Sequence, residues 1–221
     1  MPFALYRVAK LKSVGAMRGS VSHTARHRDT PNADPARVAQ NEQIIGFDLR
    51  IPTADAFIAE WEKRTRGVQR KPDAVLCQEL FLGVSPSFFT DCAVPADRMH
   101  RLNEWKSRTI SWLRDEFGER AFAATLHADE TTPHICAYVI PIRVAKDGTP
   151  WLSAKHFFNR VTLRQQQDSY AAVLSDLGIE RGLRGSKAKH QTVRQFYAQM
   201  ETVKKPLPPV ARIAEAVQNC V

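Results

Sequence analysis

Residues 121–142, AFAATLHADETTPHICAYVIPI, decide how this chain folds. Two short apolar runs, 121–127 and 135–142, flank the polar connection ADETTPH. Runs of that length on either side of a proline-containing turn read as strands, and so short a link makes them antiparallel neighbours. Side chains alternate across a strand, so His134 and Cys136 share a face, and His127 at the end of the preceding strand falls beside them. Three donors converging from two adjacent strands leave one side of an ion open, as a catalytic metal requires. Asp129 and Glu130 offer carboxylates from the turn, which harder ions such as Mg²⁺ or Mn²⁺ prefer. The same residues also fit a plain polar hairpin, with Asp129 in a turn role and both histidines hydrogen-bonded.

Outward from this hairpin, apolar residues at three- and four-residue steps predict a helix over about 96–117, with Met99, Leu102, Trp105, Thr109, Trp112 or Leu113, and Phe117 on its inner face and Gly118 as its stop. Residues 73–84 read as a buried strand and 2–11 as a strand with basic residues interleaved. A helix is expected over 54–64, capped by Thr53, with Phe57, Ile58 and Trp61 on one face. Residues 146–150, KDGTP, are a turn. Further helices are expected over 160–177, ending at Gly178, and around Val193, Phe196, Tyr197 and Met200. The polar stretch after Lys12, up to Arg37, reads as a long loop or loosely helical segment outside the core. Roughly four strands and four or five helices that do not alternate regularly indicate an α+β fold, an antiparallel sheet covered by helices.

The chain has 221 residues, 32 Lys and Arg against 23 Asp and Glu, and a net charge of +9 at pH 7. Such a balance points to a polyanionic partner, because phosphate backbones attract basic proteins through counterion release. Composition alone fits a merely basic soluble protein equally well. A chain of this size builds a core without disulfides or structural metal, and its four cysteines, Cys77, Cys92, Cys136 and Cys220, form no C-x-x-C pair. No apolar run reaches membrane-span length, and Arg7, Lys10 and Lys12 interrupt the start where a signal peptide needs apolar residues. The expected location is cytoplasmic. A domain over 1–203 is expected to give way, from about Lys204, to the proline-rich spacer KKPLPPV and the start of a further helix at 204–221.

A second cluster runs from Ser22 through His23 to Arg26, His27 and Arg28. A neutral imidazole beside an arginine is equipped to attack a phosphate whose charge the guanidinium holds, although a solvated basic loop has the same composition. Arg7, Lys10, Lys12, Arg37, Lys187, Lys189 and His190 are the remaining candidates to line a nucleic-acid groove.

Several of these segments together resemble the relaxase domain of the Mob/Pre family of plasmid mobilisation proteins, the MobV relaxases of the HUH endonuclease class. The resemblance extends to about Met200. It is carried by His23-Thr-Ala-Arg26, by DPARVAQN from Asp34 to Asn41, by DAVLC from Asp73 to Cys77, by HADETTPH from His127 to His134, by LSAK from Leu152 to Lys155, and by SKAKHQTV from Ser186. It implies an α+β domain whose antiparallel palm carries the metal histidines. It also implies a nicking and joining enzyme acting on single-stranded or hairpin plasmid DNA at an origin of transfer, to start conjugative mobilisation. In that reading His23 attacks the scissile phosphate to form a phosphoramidate and free a 3′-hydroxyl. Arg26 adds positive charge, and Asp129 or Glu130 orients the imidazole. His127 and His134, with Glu130 or Cys136, hold one divalent cation. Asn41 and Lys155 join the candidate DNA contacts. A tyrosine nucleophile from the motif ending at Asn41 is excluded, because Glu42 stands where some relatives carry tyrosine; Tyr6, Tyr138, Tyr170 and Tyr197 are the chain's tyrosines.

One departure concerns the metal. The family pattern ends Pro-His-x-His, whereas this chain reads Pro133-His134-Ile135-Cys136. Mn²⁺ or Mg²⁺ is expected from the family, and the soft sulfur admits Zn²⁺. Family resemblance further implies a homodimer through a C-terminal region beyond this sequence, and contact with conjugation coupling machinery. The competing expectations are a plasmid DNA-binding module with a structural or degenerate metal site, and a metal nuclease that uses water.

Overall fold

Leu80, Leu82, Ile135, Ala137 and Val139 are completely buried and alternate with residues on the opposite sheet face, as period-2 strands between two packed layers require. The computed structural model describes residues 1–46, 53–92, 94–182 and Arg184. Its strands are β1 (Phe3–Leu11), β2 (Glu42–Ile45), β3 (Cys77–Val84), β4 (Ala121–His127), β5 (His134–Val139), β6 (Ile142–Val144), β7 (Pro150–Leu152) and β8 (Glu180–Arg181). The principal helices are α1 (Val14–Thr24), α2 (Ala54–Arg64), α3 (Ser87–Thr90), α4 (Pro95–Phe117), α5 (Ala154–Phe157) and α6 (Arg160–Ala172). Six strands form one sheet in the order β2-β4-β5-β3-β1-β8, antiparallel except for the short β1–β8 pairing, and β6 and β7 form a separate hairpin. The α+β expectation therefore holds.

One face of the sheet carries Tyr6, Leu80, Leu82, Ile135, Ala137 and Leu126 against Trp105, Trp112, Leu113 and Phe117 of α4 and Tyr170 of α6. The α4 stripe follows the expected spacing, and Gly118 ends the helix at φ 53°. Met99, expected on the inner face, lies 58% exposed, and its neighbours from Pro95 to His100 are all exposed too, so the buried stripe of α4 starts only further along the helix. The opposite face is half covered. Leu11, Cys77, Ala123 and Tyr138 pack there against Met17 and Val21 of α1 and Phe57, Ile58 and Trp61 of α2. The other half of that face carries His127, His134 and Cys136, all three buried.

Two segments differ from expectation. The stretch after Lys12, read as lying outside the core, contains α1, whose Met17, Val21 and Thr24 are buried. Ser13 caps it by accepting from the Ala16 N–H at 3.1 Å. Its few apolar residues are separated by Gly, Ser and Arg, so the stripe is narrow, yet spacing at i, i+4 and i+7 suffices to seat it. The helix expected over 160–177 divides into α6 and a 3₁₀ turn at Ser175–Leu177 before Gly178, which is left-handed at φ 73°. Residues 183–221 form a second unit. The boundary expected near Lys204, the helix around Val193–Met200 and the proline-rich spacer lie outside the described residues. Among the described residues no helix is long and apolar enough to cross a membrane.

Candidate active site

Antiparallel pairing of β4 with β5 sets His127 opposite His134 and Thr125 opposite Cys136. The ligand atoms of His127, His134 and Cys136 all lie within 4.8 Å of one another, and all three residues are buried. Metal bonds to nitrogen and sulfur run to about 2.0–2.3 Å, so this spacing is at the outer edge of what one ion bridges. The two imidazoles stack at 5.0 Å between centroids, 28° from parallel. His134 directs Nδ1 at the Thr132 carbonyl, 3.2 Å away, which orients its Nε2 lone pair for coordination. Nδ1 of His127 is buried without a hydrogen-bond partner. An orphaned imidazole nitrogen beside another imidazole and a thiol fits a divalent cation. Burial, then the neighbouring His134 and Arg26, holds the His127 pKa far below the usual histidine value, and burial lowers that of His134. Both are thus neutral and able to ligate. Burial pushes the Cys136 thiol up, with Glu79 and Glu130 adding to the effect.

The acidic turn is held by α1 and by the loop that follows it. Arg26 donates from Nε and Nη2 to the two carboxylate oxygens of Asp129 at 2.7 and 2.8 Å, and from Nη2 to Glu130 at 2.7 Å. Asn32 donates to the other Glu130 oxygen. The Asp34 N–H bonds the Asp129 carbonyl at 2.9 Å, and Arg37 Nη2 bonds the Glu130 carbonyl at 2.5 Å. Asn41 Oδ1 accepts from the Ala128 and Asp129 N–H groups at 2.8 and 3.2 Å. Burial works to raise the Asp129 carboxyl, but the Arg26 hydrogen bonds and charge prevail and hold it at about 2. Glu130, named as an alternative ligand, has both oxygens in these contacts, and its Oε1 is 3.9 Å from His134 Nε2. Cys136 Sγ lies within 4.8 Å of both histidine donors and is not engaged by the Arg26 network.

His23 stands on the last turn of α1, beside this network. Its Nδ1 is 3.4 Å from Thr30 Oγ1, and its pKa is lowered by burial and then by the charges of Arg26 and Arg28. Arg26 itself has a side chain only 7% exposed, with all its nitrogens directed to Asp129, Glu130 and the His23 carbonyl. The guanidinium is thus turned into the acidic turn and the end of α1.

The remaining candidates separate by location. Arg7 shares the face of the histidines, its guanidinium 4.2 Å above the Phe81 ring, and Phe81 stacks on His134 at 4.8 Å and 23°. Lys10, three residues on, points to the other face by strand alternation, and Lys12 lies just past the strand end. Arg37 and Asn41 are tied to the acidic turn, so they shape the site from behind. Lys155 is exposed on α5. Lys187, Lys189 and His190 fall outside the described residues. Tyr6 and Tyr170 lie in the opposite core, and the Tyr138 hydroxyl is buried against Ser20 and Thr24 at 2.8 and 2.9 Å. None of these three is available as a nucleophile. Phe81, Thr30 and Asn32 escaped the sequence reading: Phe81 looks like any apolar strand residue until the register sets it opposite Cys136.

An antiparallel palm with its buried donor cluster on the face that α1 and α2 half cover defines an α+β domain of the relaxase type. The chain belongs to the Mob/Pre family, described as plasmid recombination enzyme, which it matches over residues 1–198. It is similar to a 65 kDa protein of Zymomonas mobilis, 35% identical over 94% of this chain and 35% of that one. A plasmid recombination enzyme of Streptococcus agalactiae is 29% identical over 89% of this chain and 39% of its own length. Among solved structures, the Mn-bound MobM relaxase domain (MOBV; Mob_Pre) with plasmid pMV158 oriT DNA superposes with a TM-score of 0.71 and 28% identity, covering 90% of this chain and 100% of that one. The chain spans about a third to a half of the length of the curated relatives it matches.

Proposed function

We propose that this domain nicks and rejoins one strand of plasmid DNA at an origin of transfer through a covalent histidine–DNA link, to initiate mobilisation. The observation that carries this reading is the meeting of a neutral His23, at the end of α1, with the His127–His134–Cys136 cluster built by β4 and β5. The DNA-bound, Mn-bound MobM domain supports a DNA substrate and a divalent cation. His127, His134 and Cys136 would hold that cation, Mn²⁺, Mg²⁺ or Zn²⁺, which supplies charge to polarise the scissile phosphate.

Thr30 Oγ1, 3.4 Å from His23 Nδ1, would accept from the Nδ1–H tautomer, which leaves the Nε2 lone pair to attack phosphorus. The P–N bond forms as the P–O3′ bond breaks. The departing 3′-oxygen takes a proton from solvent, and the imidazole then releases its Nδ1 proton. Arg26 fixes the acidic turn and, through its bond to the His23 carbonyl, the helix end that bears the nucleophile. Resealing is the reverse step, driven by the retained P–N bond. A homodimer and conjugation coupling partners would use regions beyond this domain.

The experiment is incubation of the chain with a supercoiled plasmid bearing its origin, with Mn²⁺, Mg²⁺, Zn²⁺ or EDTA, followed by denaturing gels. A metal-dependent, acid-labile protein–DNA adduct that disappears in His23→Ala, with DNA binding kept, is expected. Binding without a nick under every metal would favour a DNA-binding module, and nicking without an adduct would favour a water-using nuclease.

A further inference from the structure

Past the end of β5, beyond Val139, the β6–β7 hairpin and the segment before β3 enclose a cleft of about 220 Å³ lined by Lys71, Arg143, Ala145, Trp151, Leu152 and Ser153. Its construction is rigid. Gln69 bonds β7 on both sides, through its N–H to the Pro150 carbonyl at 2.8 Å and through its carbonyl to the Leu152 N–H at 2.9 Å. Arg143 lies directly opposite Trp151 across the hairpin. Leu152 anchors the hairpin in the core cluster of α1 and α2, on the sheet face that also carries the histidines.

The chemistry of the cleft is selective. Of the four tryptophans, Trp61, Trp105 and Trp112 are 0–3% exposed, whereas Trp151 is 38% exposed. The ring of Trp151 is therefore accessible from the cleft, on a hairpin whose position is fixed by the Gln69 bonds. Lys71 and Arg143 border it, both exposed, and among the described residues no acidic group pairs with either. An accessible ring flanked by two unpaired cations matches a base-stacking platform with phosphate contacts. From His134 to Val139 β5 rises about 17 Å, at about 3.3 Å per residue, or about five stacked nucleotides at about 3.4 Å each.

We infer that the Lys71–Arg143–Trp151 cleft is a second single-stranded nucleic-acid subsite, in which a base stacks on Trp151 while its flanking phosphates meet Lys71 and Arg143. It holds DNA several nucleotides from the metal cluster and so fixes which phosphate reaches His23. This inference rests on the DNA-processing reading above.

Titration of the 221-residue chain with the oligonucleotide dT25, followed by tryptophan fluorescence and by salt dependence, tests it. Binding is expected to quench the emission of Trp151, the one accessible indole. Trp151→Ala should lose that quench and bind about tenfold more weakly, whereas Trp151→Phe, which keeps a ring, should bind nearly as well. Replacing Lys71 and Arg143 together by Ala should lower the slope of log K against log salt by about 1.4, two phosphates' worth for a single strand. If dT25 binds the wild-type chain without quenching and Trp151→Ala binds equally well, the subsite is overturned and a protein partner becomes the better occupant, while the nicking reading stands. If neither dT25 nor the plasmid origin binds the wild-type chain, the DNA reading fails and the subsite with it.

Discussion

Arg26 and Asp129 are joined by two hydrogen bonds, Nε to Oδ2 at 2.7 Å and Nη2 to Oδ1 at 2.8 Å, with the carboxylate side chain fully buried and the guanidinium side chain 7% exposed. Arg26 does this from a left-handed backbone at φ 57°. It occupies the position after the α1 cap at which glycine usually ends a helix: its N–H bonds the His23 carbonyl at 3.1 Å, and the His27 N–H bonds the Ser22 carbonyl at 2.9 Å. Left-handed backbone at a non-glycine residue is unfavourable by about 1–2 kcal/mol, so the planar, bidentate ion pair is the reason an arginine stands there.

Arg26→Ala leaves Asp129 buried and unpaired, and is expected to destabilise the domain by about 3–5 kcal/mol. Arg26→Lys keeps the charge without the fork and should recover only part of this. Urea unfolding of the two variants checks the order, and equal stability of wild type and Arg26→Ala would refute it.

His23 has a folded pKa below that of a free histidine. The reaction rate at saturating metal is therefore expected to stay level as pH falls from 8 to 6.5 and to decline only below that, when the imidazole protonates. The same shift has a stability sign. A depressed histidine pKa contributes stability that is fully present above the unfolded value of about 6.5 and is lost as pH falls toward the folded value, because the unfolded chain binds the proton first. Compared with His23→Gln, the wild-type domain should lose urea resistance faster below pH 6.5; parallel curves would contradict the assignment.

Cys136 supplies the sulfur of the donor cluster. Cys136→Ala should weaken Zn²⁺ binding by about tenfold or more while affecting Mn²⁺ less, since thiolate favours the softer ion. Cys136→His, three imidazoles in all, should narrow the gap between the two ions, with Zn²⁺ still the tighter. Calorimetry with both ions, together with loss of the sulfur-to-Co²⁺ charge-transfer absorption in Cys136→Ala, reads this without any DNA present.

Phe81 stacks on His134 and underlies the Arg7 guanidinium. Phe81→Leu keeps apolar volume but removes the ring, and an aromatic pair contributes about 0.5–1.5 kcal/mol beyond burial. Metal affinity is expected to fall by about two- to tenfold, with Phe81→Tyr close to wild type in metal titrations. Unchanged affinity in Phe81→Leu would show that the strand backbone alone orients His134.

The hairpin of 121–142 was legible because one local pattern, two apolar strands and a seven-residue polar link, dictates both pairing and face. His134 and Cys136 follow from strand alternation, and His127 from the turn length. Thr53 likewise caps α2, accepting from the Ala56 N–H at 3.2 Å, and Gly118 stops α4, because caps act within a few residues of themselves. Residues whose partners are distant in sequence gave no such signal. α1 was misread as lying outside the core because its narrow stripe gains meaning only against α2 and the sheet.

By itself, then, the sequence determined the α+β class, the hairpin and its three donors, and the histidine–arginine motif that ends α1, all set by hydrogen bonding and side-chain alternation over short spans. Only the tertiary structure decided that both Glu130 oxygens are engaged by Arg26 and Asn32, that Arg26 clamps Asp129 across 103 residues, and that Arg37 and Asn41 brace the acidic turn. Charges and hydrogen-bond donors are satisfied by whatever the packed sheet brings within about 3 Å, and no local pattern encodes that neighbour.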